Sequence, residues 1–128
     1  MQLKSEKRRH VRFKAPENLF AALGNSFPKV GKIRDISMGG VAFEYIPNEK
    51  EETGTTHVDI FLSGNGFYLS KIPCEAVYDI HQKAPLFGSH DFSSIDVNRC
   101  GVAFKKLKKE NYEQLVYLLD QHTTGLVP

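Results

Sequence analysis

A basic segment near the amino terminus holds the side chains best suited to bind an anion. Arg8, Arg9 and Arg12 stand close together there. The guanidinium group of arginine presents planar, forked donors that match phosphate oxygens at two points at once. Residues 1–14 hold six basic side chains and one acidic one, a net charge of +5, whereas the rest of the chain is net −3. The segment therefore favours an anionic partner: nucleic acid, a nucleotide or a membrane surface.

A second segment, DISMGG from Asp35 to Gly40, combines a carboxylate, a hydroxyl and a glycine pair. An ionised Asp35 only accepts hydrogen bonds, so it suits N–H donors, and Ser37 donates or accepts beside it. Two residues apart on a strand, these side chains point to the same face. Gly40 has no Cβ, which allows a tight turn and the close approach of a ligand. Because aspartate and serine also favour plain hairpin turns, and arginines also occur in solvated arms, each segment alone leaves both explanations open.

The two segments together resemble the motifs of the PilZ family. The matching positions are Arg8 and Arg12, which form R-x-x-x-R, and Asp35, Ser37 and Gly40, which form D-x-S-x-x-G. Two stretches with the letters GVAF, at 40–43 and 101–104, and the closing helix match the family as well. The resemblance covers nearly the whole chain and implies an all-β protein, a six-stranded antiparallel PilZ-like β-barrel with one C-terminal α-helix.

The resemblance also implies a ligand, the bacterial second messenger cyclic di-GMP, which is a dianion with two guanines. The ligand-binding residues would be Arg8, Arg9, Arg12, Asp35, Ser37, Gly39 and Gly40. Arginine donors suit phosphate oxygens and guanine O6 and N7, and the aspartate suits guanine N1–H and N2–H₂. His10 is expected to face solvent. Such a receptor is not an enzyme, takes no cofactor or metal, and relays its signal in trans to an unidentified protein when the arm folds onto the barrel.

Alternating apolar residues and turn signals predict the strands of the barrel. Strands are expected at 29–36, 41–46, 57–63, 67–80 and 101–107, with a long loop or ragged hairpin over 81–98. The stretch 19–24 is either a strand or a turn of helix. Gly39 or Gly40 is expected to supply a positive φ in the first hairpin turn. Pro73 predicts an edge strand or a bulge.

The last apolar stretch of the chain has the spacing of an amphipathic helix. Its expected apolar face consists of Tyr112, Leu115, Val116 and Leu119, at positions i, i+3, i+4 and i+7. Asn111 is the predicted N-cap, and the helix is expected to end by 122–125.

The chain of 128 residues fits one domain. We expect a flexible basic arm at 1–16, a PilZ-type barrel with its helix at 17–122, and a tail at 123–128 that is either native or tag-derived. No apolar run reaches the length of a membrane span, and none follows the charged amino terminus, so a cytoplasmic protein is expected. The PilZ resemblance implies that it is bacterial. Cys74 and Cys100 lie in apolar surroundings and are expected to be buried thiols.

Two other binding functions stay open from the sequence. A basic-armed barrel could grip single-stranded nucleic acid with Phe13 stacked on a base, but the body beyond the arm is net negative. A PilZ-like adaptor would work through protein contacts without any ligand. The histidines are scattered along the chain, which argues against an enzyme. His81, His90 and Asp91 could be imagined as a metal cluster, but they share a polar stretch where such residues are routine. The sequence decides neither the number of ligands nor whether the chain is a monomer or a homodimer.

Overall fold

Six strands form a closed barrel in the computed structural model, which describes residues 10–24, 29–47, 57–64, 66–85 and 94–127. The elements are β1 (Phe13–Lys14), β2 (Leu19–Leu23), β3 (Lys29–Ser37), β4 (Gly40–Tyr45), β5 (His57–Leu62), β6 (Tyr68–Pro85), β7 (Ser94–Phe104), α1 (Lys109–His122) and β8 (Gly125–Leu126). The barrel runs in the order β2-β5-β6-β7-β4-β3, and antiparallel pairing of β2 with β3 closes it. The predicted six-stranded antiparallel barrel with one C-terminal helix is confirmed.

Two short strands extend the barrel along one edge of β3. The first half of β3 pairs with β2, and its second half pairs with β1, where Phe13 faces Ile36 and Lys14 faces Asp35. Strand β8 pairs with the other side of β1. Residues 13–14, for which the sequence predicts no strand, are thus held beside the D-x-S segment by backbone hydrogen bonds on both edges.

Alternating side chains fill the barrel interior, as the sequence predicts for β4 and β5. Val41, Phe43 and Tyr45 of β4 are buried. The corresponding buried residues of β5 are Val58, Ile60 and Leu62. Burying each large apolar side chain contributes about 1.5–3 kcal/mol, which makes this interior the main source of stability. The intervening residues of β4, Ala42 among them, face the outside of the barrel.

Both cysteines are free, buried thiols, as expected. Burial raises the pKa of Cys74 to about 11 and the pKa of Cys100 to about 12. At neutral pH each is a protonated, apolar side chain within the packed interior.

Strands β6 and β7 form a longer hairpin than the sequence predicts. β6 continues to Pro85 and β7 begins at Ser94, so residues 81–85 and 94–98 are paired backbone, which agrees with the ragged hairpin rather than the long loop of the two predicted alternatives. Residues 81–83 are all exposed, so this extension carries no apolar alternation that the sequence could show. Within the predicted strand 67–80 the alternation is broken by a bulge: Ala76 faces Val102 and Tyr78 faces Gly101, which leaves Val77 as an extra residue. A bulge shifts the alternation of side chains, and no spacing in the sequence reveals it.

Pro73 lies in an interior strand, so the predicted edge position is wrong. The ladder between β5 and β6 ends at His57 and Pro73, and the ladder between β6 and β7 begins at Cys74 and Phe104. The proline is tolerated because it stands where β6 changes partners. The bulge that the proline suggested lies just before it, at Lys71, which has a φ of 51° and donates its backbone N–H to Asp59 Oδ1 over 3.0 Å.

The helix begins at Lys109, one turn earlier than its predicted start. Asn111 therefore lies inside the first turn, and the predicted N-cap is wrong; the position before the helix is Lys108, which makes no side-chain cap. The buried residues are Leu115, Leu118 and Leu119. The predicted apolar face is rotated, because Tyr112 and Val116 are 53% and 43% exposed.

Candidate functional site

A cavity of about 270 Å³ on the outside of the barrel brings the predicted site residues together. Its lining includes Arg12, Asp35, Ser37, Gly39 and Gly40. Arg8 and Arg9, the other two predicted residues, lie outside the described residues. The remaining lining residues are His10, Val41, Ala42, Val77, Tyr78, Gly101, Val102 and Ala103. One arginine of the first motif and the three residues of the second therefore line one concave surface.

The floor of the cavity is a row of cross-strand neighbours on four strands. Asp35 of β3 faces Ala42 of β4, Ala42 faces Gly101 of β7, and Gly101 faces Tyr78 of β6. Cross-strand neighbours point to the same side of a sheet. The small side chain of Ala42 leaves a trough between the Asp35 carboxylate on one side and the Tyr78 ring, which covers Gly101, on the other.

Tyr78 forms the wall opposite Asp35. A Cβ at Gly101 would collide with the Tyr78 ring, so the ring lies directly over the glycine. Neither residue could be assigned to the site from the sequence, because the bulge at Val77 decides which face Tyr78 occupies. The cavity thus offers the face or edge of an aromatic ring as well as charged groups.

Arg12 is held in position by β1, which follows it, and by Val127 near the end of the chain. Its backbone carbonyl accepts a hydrogen bond from Val127 N–H over 2.9 Å, and the next residue, Phe13, pairs with Ile36. The Arg12 Nη1 atom lies 3.5 Å from Asp35 Oδ1. An arginine of the first motif therefore forms an ion pair with the carboxylate of the second.

Asp35 is enclosed, and a second guanidinium balances its charge. Its side chain is 9% exposed, and Arg99 Nη2 lies 3.8 Å from Asp35 Oδ2. A buried carboxylate is costly unless cations or hydrogen-bond donors compensate it. Arg99 was missed by sequence reasoning; its one signal is its place two residues before Gly101, which puts both on the same face of β7.

The turn that joins β3 and β4 uses its glycines for close approach. The predicted positive φ is wrong, because neither Gly39 nor Gly40 has one. A Cβ at Gly39 would collide with the His10 imidazole, and a Cβ at Gly40 would collide with the carbonyl oxygen of Val102. Ser37 Oγ accepts the Gly39 N–H over 3.0 Å, so the serine shapes the turn as well as lining the cavity.

His10 is exposed, as expected, yet its ring also lines the cavity over Gly39. Among the described residues, no group of three or more His, Cys, Asp or Glu side chains is arranged to hold a metal ion. His90 and Asp91 lie outside that part of the chain. Within it, no helix is long and apolar enough to cross a membrane.

Comparison with solved structures identifies the fold. The PilZ domain of YcgR from Escherichia coli, solved with c-di-GMP, superposes with a TM-score of 0.67 at 14% identity, covering 91% of each chain. MrkH of Klebsiella pneumoniae in its apo state gives a TM-score of 0.66 at 13% identity, covering 94% of this chain and 50% of that one. Another MrkH structure, described as a c-di-GMP-dependent transcription regulatory factor, gives 0.63 at 18% identity, over 88% of this chain and 49% of that chain.

The sequence itself matches no protein-family model and, at a significant level, no curated protein. The likeness therefore rests on the arrangement of the strands and the helix, over almost the full length of the chain and of the YcgR domain. This chain has the fold of a PilZ domain.

Proposed function

We propose that this protein is a receptor for cyclic di-GMP and that the cavity beside β3 is its binding site. The observation that carries the proposal is the convergence of Arg12, Asp35 and Ser37 on one cavity next to the glycine turn. The PilZ fold supports it, since the YcgR domain of that fold was solved with c-di-GMP.

The chemistry of the cavity suits a guanine nucleotide with two phosphates. Asp35 accepts from guanine N1–H and N2–H₂, while Ser37 donates or accepts beside it. Arg12, 32% exposed, reaches a phosphate oxygen or the O6 and N7 edge of guanine. A base in the trough between Asp35 and Tyr78 has an aromatic ring as its neighbour, which favours stacking. Arg8 and Arg9 complete the proposed cation set.

Ligand binding acts through the basic segment before β1. The dianion attracts its guanidinium groups, and charge-assisted hydrogen bonds fold the basic arm onto the barrel. The surface formed in this way is then recognised in trans by a partner protein. The protein binds the ligand without converting it, so the ligand is released chemically intact.

Isothermal titration calorimetry with a nucleotide panel tests the proposal. We expect heat of binding with cyclic di-GMP, much weaker binding of cyclic di-AMP and GMP, and loss of affinity in Asp35→Asn. Chromatography of the released ligand should recover it intact. A flat trace with cyclic di-GMP would favour the adaptor without a ligand.

A single-stranded oligonucleotide, titrated at low and raised salt, tests the other open function. Nonspecific nucleic-acid binding falls steeply with salt because it depends on counterion release. Tighter binding of the oligonucleotide than of cyclic di-GMP would overturn the proposed function.

A further inference from the structure

Arg99 contacts the proposed site from the barrel side, outside both sequence motifs. It lies on β7, where it faces Glu44 of β4 and Ile80 of β6, so two neighbouring strands hold its backbone. Its side chain is 34% exposed, and Nη2 points to Asp35 Oδ2 at 3.8 Å. The Asp35 carboxylate therefore has one guanidinium on each oxygen, Arg12 at Oδ1 and Arg99 at Oδ2.

The two arginines differ in how they are anchored. Arg12 precedes β1, a strand of two residues. Arg99 belongs to an 11-residue strand in the middle of the barrel wall. When Arg12 turns to a phosphate or a guanine edge, Asp35 loses one of its two cations. Arg99, held by the barrel wall, would then still compensate the charge of the buried carboxylate.

We infer that Arg99 is a positioning residue that holds the Asp35 carboxylate in its orientation toward the ligand. This inference rests on the proposed function. To accept N1–H and N2–H₂ of the same guanine, the carboxylate must lie in the plane of the base, with one oxygen toward each donor. A cation fixed at Oδ2 restricts the rotation of that plane. Arg99 thereby sets the preference for guanine over hypoxanthine, which has N1–H but no 2-amino group.

Arg99→Gln tests this inference, with Arg34→Gln as the matched control. Arg34 is adjacent to Asp35 in the chain but pairs with Glu44, at 3.6 Å, and is 52% exposed. Both variants remove one positive charge near the site, so they lose the same long-range attraction. Only Arg99→Gln removes a contact with Asp35.

Affinity is measured for cyclic di-GMP and for its analogue with hypoxanthine bases. We expect Arg99→Gln to weaken cyclic di-GMP binding by about tenfold, which is the scale of one charge-assisted contact, and to weaken analogue binding by less than about threefold. Arg34→Gln should leave the ratio of the two affinities unchanged. Arg99→Lys, which keeps the charge, should restore part of the preference.

A double-mutant cycle separates action through Asp35 from direct contact with the ligand. In an Asp35→Asn background, Arg99→Gln should have no further effect. An equal loss in both backgrounds would overturn the positioning role. So would an unchanged guanine preference in an Arg99→Gln protein whose circular dichroism spectrum matches the parent.

The failure of this inference can be told from the failure of the proposed function. If the parent protein does not bind cyclic di-GMP, the proposed function falls, and the inference falls with it. If the parent binds and Asp35→Asn weakens binding, while Arg99→Gln behaves like Arg34→Gln, only the role of Arg99 falls. Should Arg99→Gln not fold, the comparison of Arg99→Lys with Arg34→Lys in the same two titrations decides the matter.

Discussion

The guanidinium of Arg12 lies 3.5 Å from the carboxylate of Asp35, so two motifs that are far apart in the sequence meet at one ion pair. This ion pair depends on the pairing of β1 with the second half of β3. The pairing places Lys14 opposite Asp35 and brings Arg12, the residue before β1, close to the carboxylate. An ion pair at the rim of a cavity also means that a ligand must compete for both partners. Each of them is therefore a direct point of attack for mutation.

Replacing either partner should weaken cyclic di-GMP binding without unfolding the barrel. We expect Arg12→Ala and Asp35→Ala each to reduce the affinity by about tenfold or more, on the order of 1.4 kcal/mol for one charge-assisted contact. Calorimetric titration measures the effect, and Lys14→Ala is the control because its exposed side chain carries the same charge on β1. Unchanged affinity in both variants would contradict the site assignment.

The glycine pair of the turn offers a test that separates packing from binding. A Cβ at Gly40 would meet the backbone of β7, which cannot move aside, whereas a Cβ at Gly39 would meet the His10 side chain, which can rotate. We therefore expect Gly40→Ala to lower the free energy of unfolding by about 1–3 kcal/mol, the usual effect of overpacking. Gly39→Ala should lower it by less and act mainly on affinity. Urea denaturation of both variants checks this, and equal losses would contradict it.

Much of the candidate site was predictable because its motif residues follow the local spacing of single strands. Asp35 and Ser37 stand two residues apart on β3 and line the same cavity, as strand alternation requires. The alternation of Val41 and Phe43 likewise predicted the inner face of β4. These features depend on local spacing, which the sequence displays directly.

The features that the sequence did not predict depend on the register between strands that are distant in sequence. The bulge at Val77 moves Tyr78 onto the outer face over Gly101, and no local pattern marks it. Arg99 reaches Asp35 diagonally across β4, a relation that exists only once three strands are aligned. The start of α1 was misplaced because Asn111 is a good cap by type, whereas the helix begins without any side-chain cap.

The carboxyl-terminal strand should support binding through one backbone hydrogen bond. Val127 N–H donates to the carbonyl of Arg12 over 2.9 Å. Val127→Pro removes this donor, and Val127→Ala keeps it. We expect the proline variant to bind cyclic di-GMP about two- to tenfold more weakly, matching a hydrogen bond of about 0.5–1.5 kcal/mol, and the alanine variant to bind like the parent. Equal affinities of the two variants would show that the hydrogen bond from Val127 does not position Arg12.

A polar cluster that is not part of the cavity lining links four strands of the barrel through Asp79. Its Oδ2 accepts from Tyr45 Oη–H over 2.7 Å and from Lys29 Nζ over 3.0 Å, while Asn98 Nδ2 donates to its Oδ1 over 3.0 Å. Burial by itself would raise the pKa of Asp79, but these hydrogen bonds together outweigh it and hold the pKa below the ordinary 3.8.

Stability should therefore fall in acid, and Asp79 should account for part of the fall. A carboxyl group whose pKa is lowered by folding stabilises the folded state fully above its unfolded pKa, and this contribution is lost as the pH drops through the folded pKa. We expect the free energy of unfolding, measured by urea denaturation from about pH 6 to about pH 2, to fall less steeply in Asp79→Asn than in the parent. Asp96→Asn is the control: hydrogen bonds from Lys83 and His81 lower its pKa too, but its side chain is 55% exposed, against 30% for Asp79, so its contribution is screened more strongly by solvent. Parallel curves for the parent and Asp79→Asn would mean that the cluster does not gain stability from the charge of Asp79.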